Sequence, residues 1–202
     1  MKKTEAIQVI TTCAKRYHTH LVNRNLLFVF GALQAPSYFE AVFLPRHFLH
    51  LTGVSLSAER FTGSSDFYRK CLRGRLRSDD FTMPDDGTVE MKLAVLPQLM
   101  EVYRHAKMIG DYDFTKSMLY TEKLAGNVSA CLGFVQSDGY YMPNTTLRED
   151  IRNVTRHPQM RILAIYRKAV RETVYHELCY TAKGIAPAEI AFPDAVREKL
   201  QG

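Results

Sequence analysis

No stretch of this 202-residue chain approaches the ~20 consecutive apolar residues of a membrane-spanning helix, so no transmembrane segment is expected. The amino terminus is basic, but charged and polar residues interrupt every apolar run that follows, unlike a secretory signal. The four cysteines, Cys13, Cys71, Cys131 and Cys179, are scattered without a Cys-x-x-Cys pair, which argues against both a zinc site and a disulfide framework. A cytoplasmic protein is expected. The Asn-x-Ser/Thr triplets beginning at Asn127, Asn144 and Asn153 then carry no meaning as glycosylation sites. Also missing are a Gly-x-x-x-x-Gly-Lys-Ser/Thr loop, a Gly-x-Gly-x-x-Gly turn and a Gly-x-Ser-x-Gly elbow, which removes the common nucleotide-binding and hydrolase readings. No internal repeat or low-complexity segment is visible.

What is present suits one globular domain over 1–202: 46% hydrophobic and 24% charged residues, with enough length to bury a core. The charge is unevenly placed. Residues 1–80 hold 12 Lys+Arg against 6 Asp+Glu, whereas residues 81–202 hold 15 of each. Arg69, Lys70, Arg73, Arg75 and Arg77 fall within nine positions. Such a cluster can attract a polyanion, for which nucleic acid is the usual candidate, or it can be a solvated helix face.

The most informative stretch runs from Tyr38 to Val54, YFEAVFLPRHFLHLTGV. Alternation through Tyr38–Leu44 predicts a strand. Pro45 interrupts it, and His47–Leu51 is expected to resume it before the Thr52-Gly53 stop. His50 then sits between two leucines ahead of a glycine turn, where its ring can be fixed at the base and wet at the tip. That setting suits acid–base chemistry; a core histidine satisfied by a backbone carbonyl is the structural alternative. On a strand, His47 and His50 fall on opposite faces, a poor metal pair, so no metal is expected.

A helix is expected over Lys3–Asn23, with Ala6, Ile10, Cys13, Tyr17 and Leu21 on one stripe. Leu26–Leu33 should be a buried strand in a hairpin with Tyr38–Leu44. Ser57–Glu59 resembles a helical turn. Ser64 or Ser65 should cap a second helix that carries the basic cluster and ends near Gly74. After turns at Asp79-Asp80 and Asp85–Gly87, a helix from Thr88 to about Lys107 should kink or divide near Pro97. Met108–Tyr112 is expected as a turn. Ser117–Glu122, Val128–Val135, Met160–Lys168 and Val174–Ala182 read as strands, with a hairpin signal at Asp138-Gly139. Tyr140–Asn144 and a short helix over Leu147–Asn153, capped by Thr146, should follow, and a last short helix lies within Pro187–Gly202. The expected organisation is α+β: N-terminal helices and hairpin over about 1–107, packed on an antiparallel β-sheet of about four main strands over about 115–184, then the tail.

Cleavage of a phosphodiester without a metal needs a base for the 2′-hydroxyl, an acid for the leaving oxygen, and cations or donors on the phosphate. His50 can fill the first pair of roles. Lys123, Arg167, Lys168 and Tyr180 lie in or at the ends of strands. Pro143–Arg148 adds small polar side chains and the Arg148 guanidinium, and the helix behind a Thr146 cap would offer N–H groups to an anion.

FLPRHFLHLTGV, LYTEKLAGNVSACLGF, YYMPNTTLREDI and RILAIYRK resemble a phage-associated branch of the barnase–EndoU–colicin–RelE nuclease superfamily, the fourth of its phage families, over about Lys2 to Gly184. The resemblance implies a helical N-terminal part, a four-stranded antiparallel sheet, and metal-independent RNA cleavage by variable sets of His, Lys/Arg, Ser/Thr and Tyr. Carried to this chain, it marks His50, Lys123, Thr146 and Lys168 as catalytic candidates. Arg46, Arg69, Arg73, Asn144, Arg148, Arg167 and Tyr180 are the substrate-binding candidates. No cofactor is expected, and RNA is the expected partner. The alternative is a non-catalytic module on the same scaffold, docking nucleic acid or a host protein through the basic second helix.

Overall fold

The computed structural model describes residues 1–57, 60–116 and 119–201. Helix α1 (Lys3–His20) buries Ala6, Ile10, Cys13 and Tyr17, with Leu21 just beyond its end, so the expected stripe is the one that packs. Strands β1 (Arg24–Ala32) and β2 (Ala35–Phe43) form the expected hairpin, with Phe28 opposite Phe39. Alternation sorts β1 between two layers: Leu26, Phe28 and Phe30 enter the main core, whereas Leu27 and Val29 join a second cluster with Ile190 and Val196.

The chain does not resume as a strand after β2. Proline has no N–H for a ladder and its fixed φ suits a first helical turn, so Pro45–His47 forms a 3-10 turn that runs into α2 (Phe48–Thr52). This overturns the expected strand over His47–Leu51. His47 and His50, three apart on helical backbone, share a side rather than opposing each other. Gly53 ends α2 at φ 75°, a left-handed conformation that favours glycine, and a Cβ there would press on the Lys92 stem, 2.8 Å from its Cδ.

A two-stranded ribbon, β3 (Ser55–Leu56) with β4 (Phe81–Thr82), flanks α3 (Ser64–Leu72). Ala58 and Glu59 of the expected helical turn lie outside the described residues. The long helix divides as expected, into α4 (Thr88–Leu99), which contains Pro97, and α5 (Val102–His105).

The sheet is larger than a four-stranded antiparallel one. β5 (Met108–Asp111), expected as a turn, pairs with β6 (Lys123–Gly126), which begins where the expected Ser117–Glu122 strand should have ended. Ser117 and Met118 are outside the described residues, and 119–122 are not strand. β7 (Cys131–Ser137) turns at Asp138 (φ 52°) and Gly139 (φ 80°) into β8 (Tyr140–Leu147), the two-residue hairpin signalled by that pair. Helix α6 (Ile151–Val154) is shorter than expected; Asp150, not Thr146, caps it by accepting the Arg152 N–H at 2.9 Å. β9 (Met160–Ala169), β10 (Glu177–Thr181) and α7 (Asp194–Gln201) complete the chain.

The strand order is β1-β2-β8-β7-β6-β5-β9, and β9 pairs back onto β1, closing seven strands into a barrel-like sheet with β10 as an extra strand on β9. Pairing is antiparallel except at β2–β8, which meet in parallel at Ala41 and Tyr141. An aromatic core supports that seam, with the Phe39 ring centre 4.8 Å from Phe28, 4.9 Å from Tyr141 and 5.7 Å from Phe134. No described helix is long and apolar enough to cross a membrane.

Candidate active site

The α2 turn is held from beneath. Phe48 is fully buried, with ring centres of Tyr17, Tyr68 and Phe67 at 5.3, 5.6 and 6.4 Å. The Thr146 hydroxyl, 1% exposed, donates to the Leu51 carbonyl at 3.1 Å and pins the turn to β8. Lys92 of α4 donates to the His50 carbonyl at 3.3 Å. With Phe48, Leu51 and Thr52 facing inward, Arg46 and His50 are left exposed on the outer side.

Arg46, His47 and His50 line one side of a cleft of about 400 Å³, and Ser64, Tyr120, Met142 and Asn144 line much of the rest. Ser64 opens α3, so the positive end of that helix borders the cleft. Gly133 of β7 makes room for the third wall: a Cβ there would lie 2.6 Å from both Thr121 Oγ1 and Thr145 Cγ2. The 120–121 segment therefore crosses close over the sheet. Asn144 fixes it, its amide donating to the Tyr120 carbonyl while its Oδ1 accepts from the Thr121 hydroxyl at 3.2 Å. With its backbone clamped, Tyr120 still leaves 80% of its surface open at the cleft mouth.

The two histidines have different characters. His47 is 5% exposed; its Nδ1 accepts the Leu44 N–H at 3.3 Å, so the neutral ring carries its proton on Nε2. Burial, then the charges of Arg46 and His50, push its pKa down to about 4, with the Val42 carbonyl opposing. His50 is also held below the usual histidine range, by partial burial and then by the Lys92 charge, while its ring remains in reach of solvent.

Of the residues singled out in the sequence, the cleft unites Arg46, His50 and Asn144. Thr146 lies just behind it with its hydroxyl committed, and Arg148 lines a neighbouring cleft with Lys92 and Leu119. The others are elsewhere. Lys123 is paired with Asp111, its ammonium 5.9 Å from the Tyr141 ring. Lys168 donates to the carbonyls of Glu172 and Thr173, and Arg167 pairs with Glu177 and donates to the His20 carbonyl. Arg69 is exposed on α3, which ends at Leu72, so Arg73, Arg75 and Arg77 lie exposed beyond the helix expected to carry them, whereas Lys70 is drawn onto the buried carboxylate of Asp80 at 2.6 Å. Tyr180 lines a separate cleft. Because α6 has four residues and Asp150 caps it, no anion site forms behind Thr146. Sequence reasoning missed His47, set aside with its expected strand, and Tyr120, which stands three residues before Lys123 in the LYTEK motif. Among the described residues, no three His, Cys, Asp or Glu side chains gather as a metal site.

The fold is an α+β barrel, and one of its clefts gathers a histidine, an arginine and a helix N-terminus. The chain belongs to the phage-Barnase-EndoU-ColicinE5/D-RelE like nuclease4 family, whose model matches residues 9–184. Comparisons with curated proteins and with solved structures returned no match.

Proposed function

We propose that this protein is a metal-independent ribonuclease acting at the Arg46–His50–Tyr120 cleft. The observation that carries the reading is the exposed His50 ring, on a turn pinned from three sides, facing a cleft that also holds Arg46 and the start of α3. Neutral His50 takes the proton of the 2′-hydroxyl as O2′ attacks phosphorus. The P–O5′ bond breaks, a 2′,3′-cyclic phosphate forms, and the Tyr120 hydroxyl protonates the leaving 5′-oxygen. Arg46 and the α3 N-terminus bear the charge on the phosphate oxygens. Asn144, with both ends of its amide engaged, positions Tyr120. Purified protein is expected to cleave total RNA equally well with and without EDTA; activity lost to EDTA and restored by Mg²⁺ or Mn²⁺ would overturn the reading.

Because the base must be neutral, activity falls as pH drops through the pKa of His50. Its depressed pKa places that acid limb below about pH 6.5. Lys92→Met keeps the stem and removes the charge, so the limb should move to higher pH. A limb unchanged in Lys92→Met would mean that another group is the base.

A further inference from the structure

Strands β5 and β10 share one edge of β9. β5 pairs at Arg161 and Met160, β10 at residues from Ala164 to Arg167, and between them the Ile162 N–H donates to the Lys107 carbonyl while the Leu163 carbonyl accepts the Ala182 N–H, both at 2.9 Å. Two strands leaving one edge must diverge, and the fork opens a cleft of about 690 Å³. Lys107 stands on the β5 side, Tyr180 and Lys183 on the β10 side, and Arg161 comes from β9. No carboxylate lines it, and none of these three cations has an ion-pair partner among the described residues. Two of them are held by neutral groups instead. Lys107 donates to the Arg104 carbonyl at 3.1 Å with its ammonium 4.0 Å from the Tyr180 ring centre, and Arg161 donates to the Lys183 carbonyl at 2.8 Å. Burial also holds the Lys107 ammonium below its usual pKa, a cost that a bound anion would reverse.

We propose that this fork is a second phosphate-binding site, which takes a single-stranded nucleic-acid segment outside the reaction cleft. Three cations lining one cleft match phosphodiester oxygens, and the half-buried Tyr180 ring beside them, covered on one face by the Lys107 ammonium, leaves an edge against which an unpaired base can pack. The fork lies on a different wall of the barrel from the β7–β8 cleft, with β6 between them on one side and β1 and β2 on the other. Its residues come from the half of the chain with no net charge, so the assembly is created by the fold alone.

The test is binding of a fluorescent oligo-dT of roughly 12 nucleotides, which lacks the 2′-hydroxyl and so can be bound but not cut by the proposed chemistry. Lys107→Gln with Arg161→Gln should weaken binding about tenfold and flatten the slope of log affinity against log salt by about 1.4, near 0.7 for each phosphate no longer neutralised. Tyr180→Leu should weaken binding several-fold with the slope unchanged. The tenfold loss should recur in an Arg46→Gln background, since distant sites add. Wild-type affinity and slope in the double variant would overturn the site, as would binding of the wild type to anionic phospholipid vesicles but not to the oligonucleotide. A protein that shows these differences yet cuts no RNA keeps the fork and loses the cleavage reading; one that cuts RNA while its fork variants bind like wild type does the reverse.

Discussion

His50→Ala should reduce RNA cleavage by about 10²–10⁴-fold, the usual contribution of a positioned general base, while leaving the fold intact. The ring is exposed, and what holds the turn is its backbone carbonyl, bonded to Lys92, together with Phe48 and Leu51 below. Truncation therefore creates little cavity. Surface changes of this kind cost within about 0.5 kcal/mol, a shift of roughly 2 °C or less for a chain of this size. A large loss of activity with an unmoved melting temperature is the expected signature. A fall of more than about 4 °C would assign His50 a structural role. His47 is the built-in contrast: its buried ring accepts the Leu44 N–H, so replacing it should destabilise the turn itself.

Phe48→Ala should destabilise the protein by about 3–5 kcal/mol, the range for removing a buried phenylalanine. Its ring joins α1, through Tyr17, to α3, through Phe67 and Tyr68, and no neighbour can move in without disturbing one of those helices. Since Arg46, His47 and His50 all ride on the turn that this ring anchors, activity should fall with stability. Denaturant unfolding measures the loss; a cost below about 1 kcal/mol would show that the turn is held mainly by Thr146 and Lys92.

An element of this fold is legible in the sequence when its determinants are local. The α1 stripe, the β1–β2 hairpin and the Asp138-Gly139 turn were legible because each is encoded within one element or one pair of neighbours. His50 stood out ahead of Gly53 with a wet and a core reading both open, and its exposure follows from the helical turn rather than from the expected strand. A proline that ends a ladder also starts a helix well, and alternation across Pro45 resembled a strand continued. Barrel closure was not legible: it rests on the parallel meeting of Ala41 with Tyr141, a hundred residues apart, and on β9 returning to β1. Met108–Asp111 looked like a turn because a four-residue strand containing glycine carries little pattern of its own. Thr146 looked like a cap because it precedes a helix, yet Asp150 lies nearer and Leu51 offers the threonine a buried acceptor.

The most direct measurement of the central claim is the chemistry of the cut ends. Wild-type protein is incubated with a single-stranded RNA, the cleavage position is mapped, and a second oligonucleotide carries one 2′-deoxy nucleotide immediately 5′ to that bond. The account predicts 2′,3′-cyclic phosphate on the upstream product, a 5′-hydroxyl on the downstream one, and no cleavage at the deoxy position. Cleavage at the deoxy position, or products ending in 3′-hydroxyl and 5′-phosphate, would contradict it.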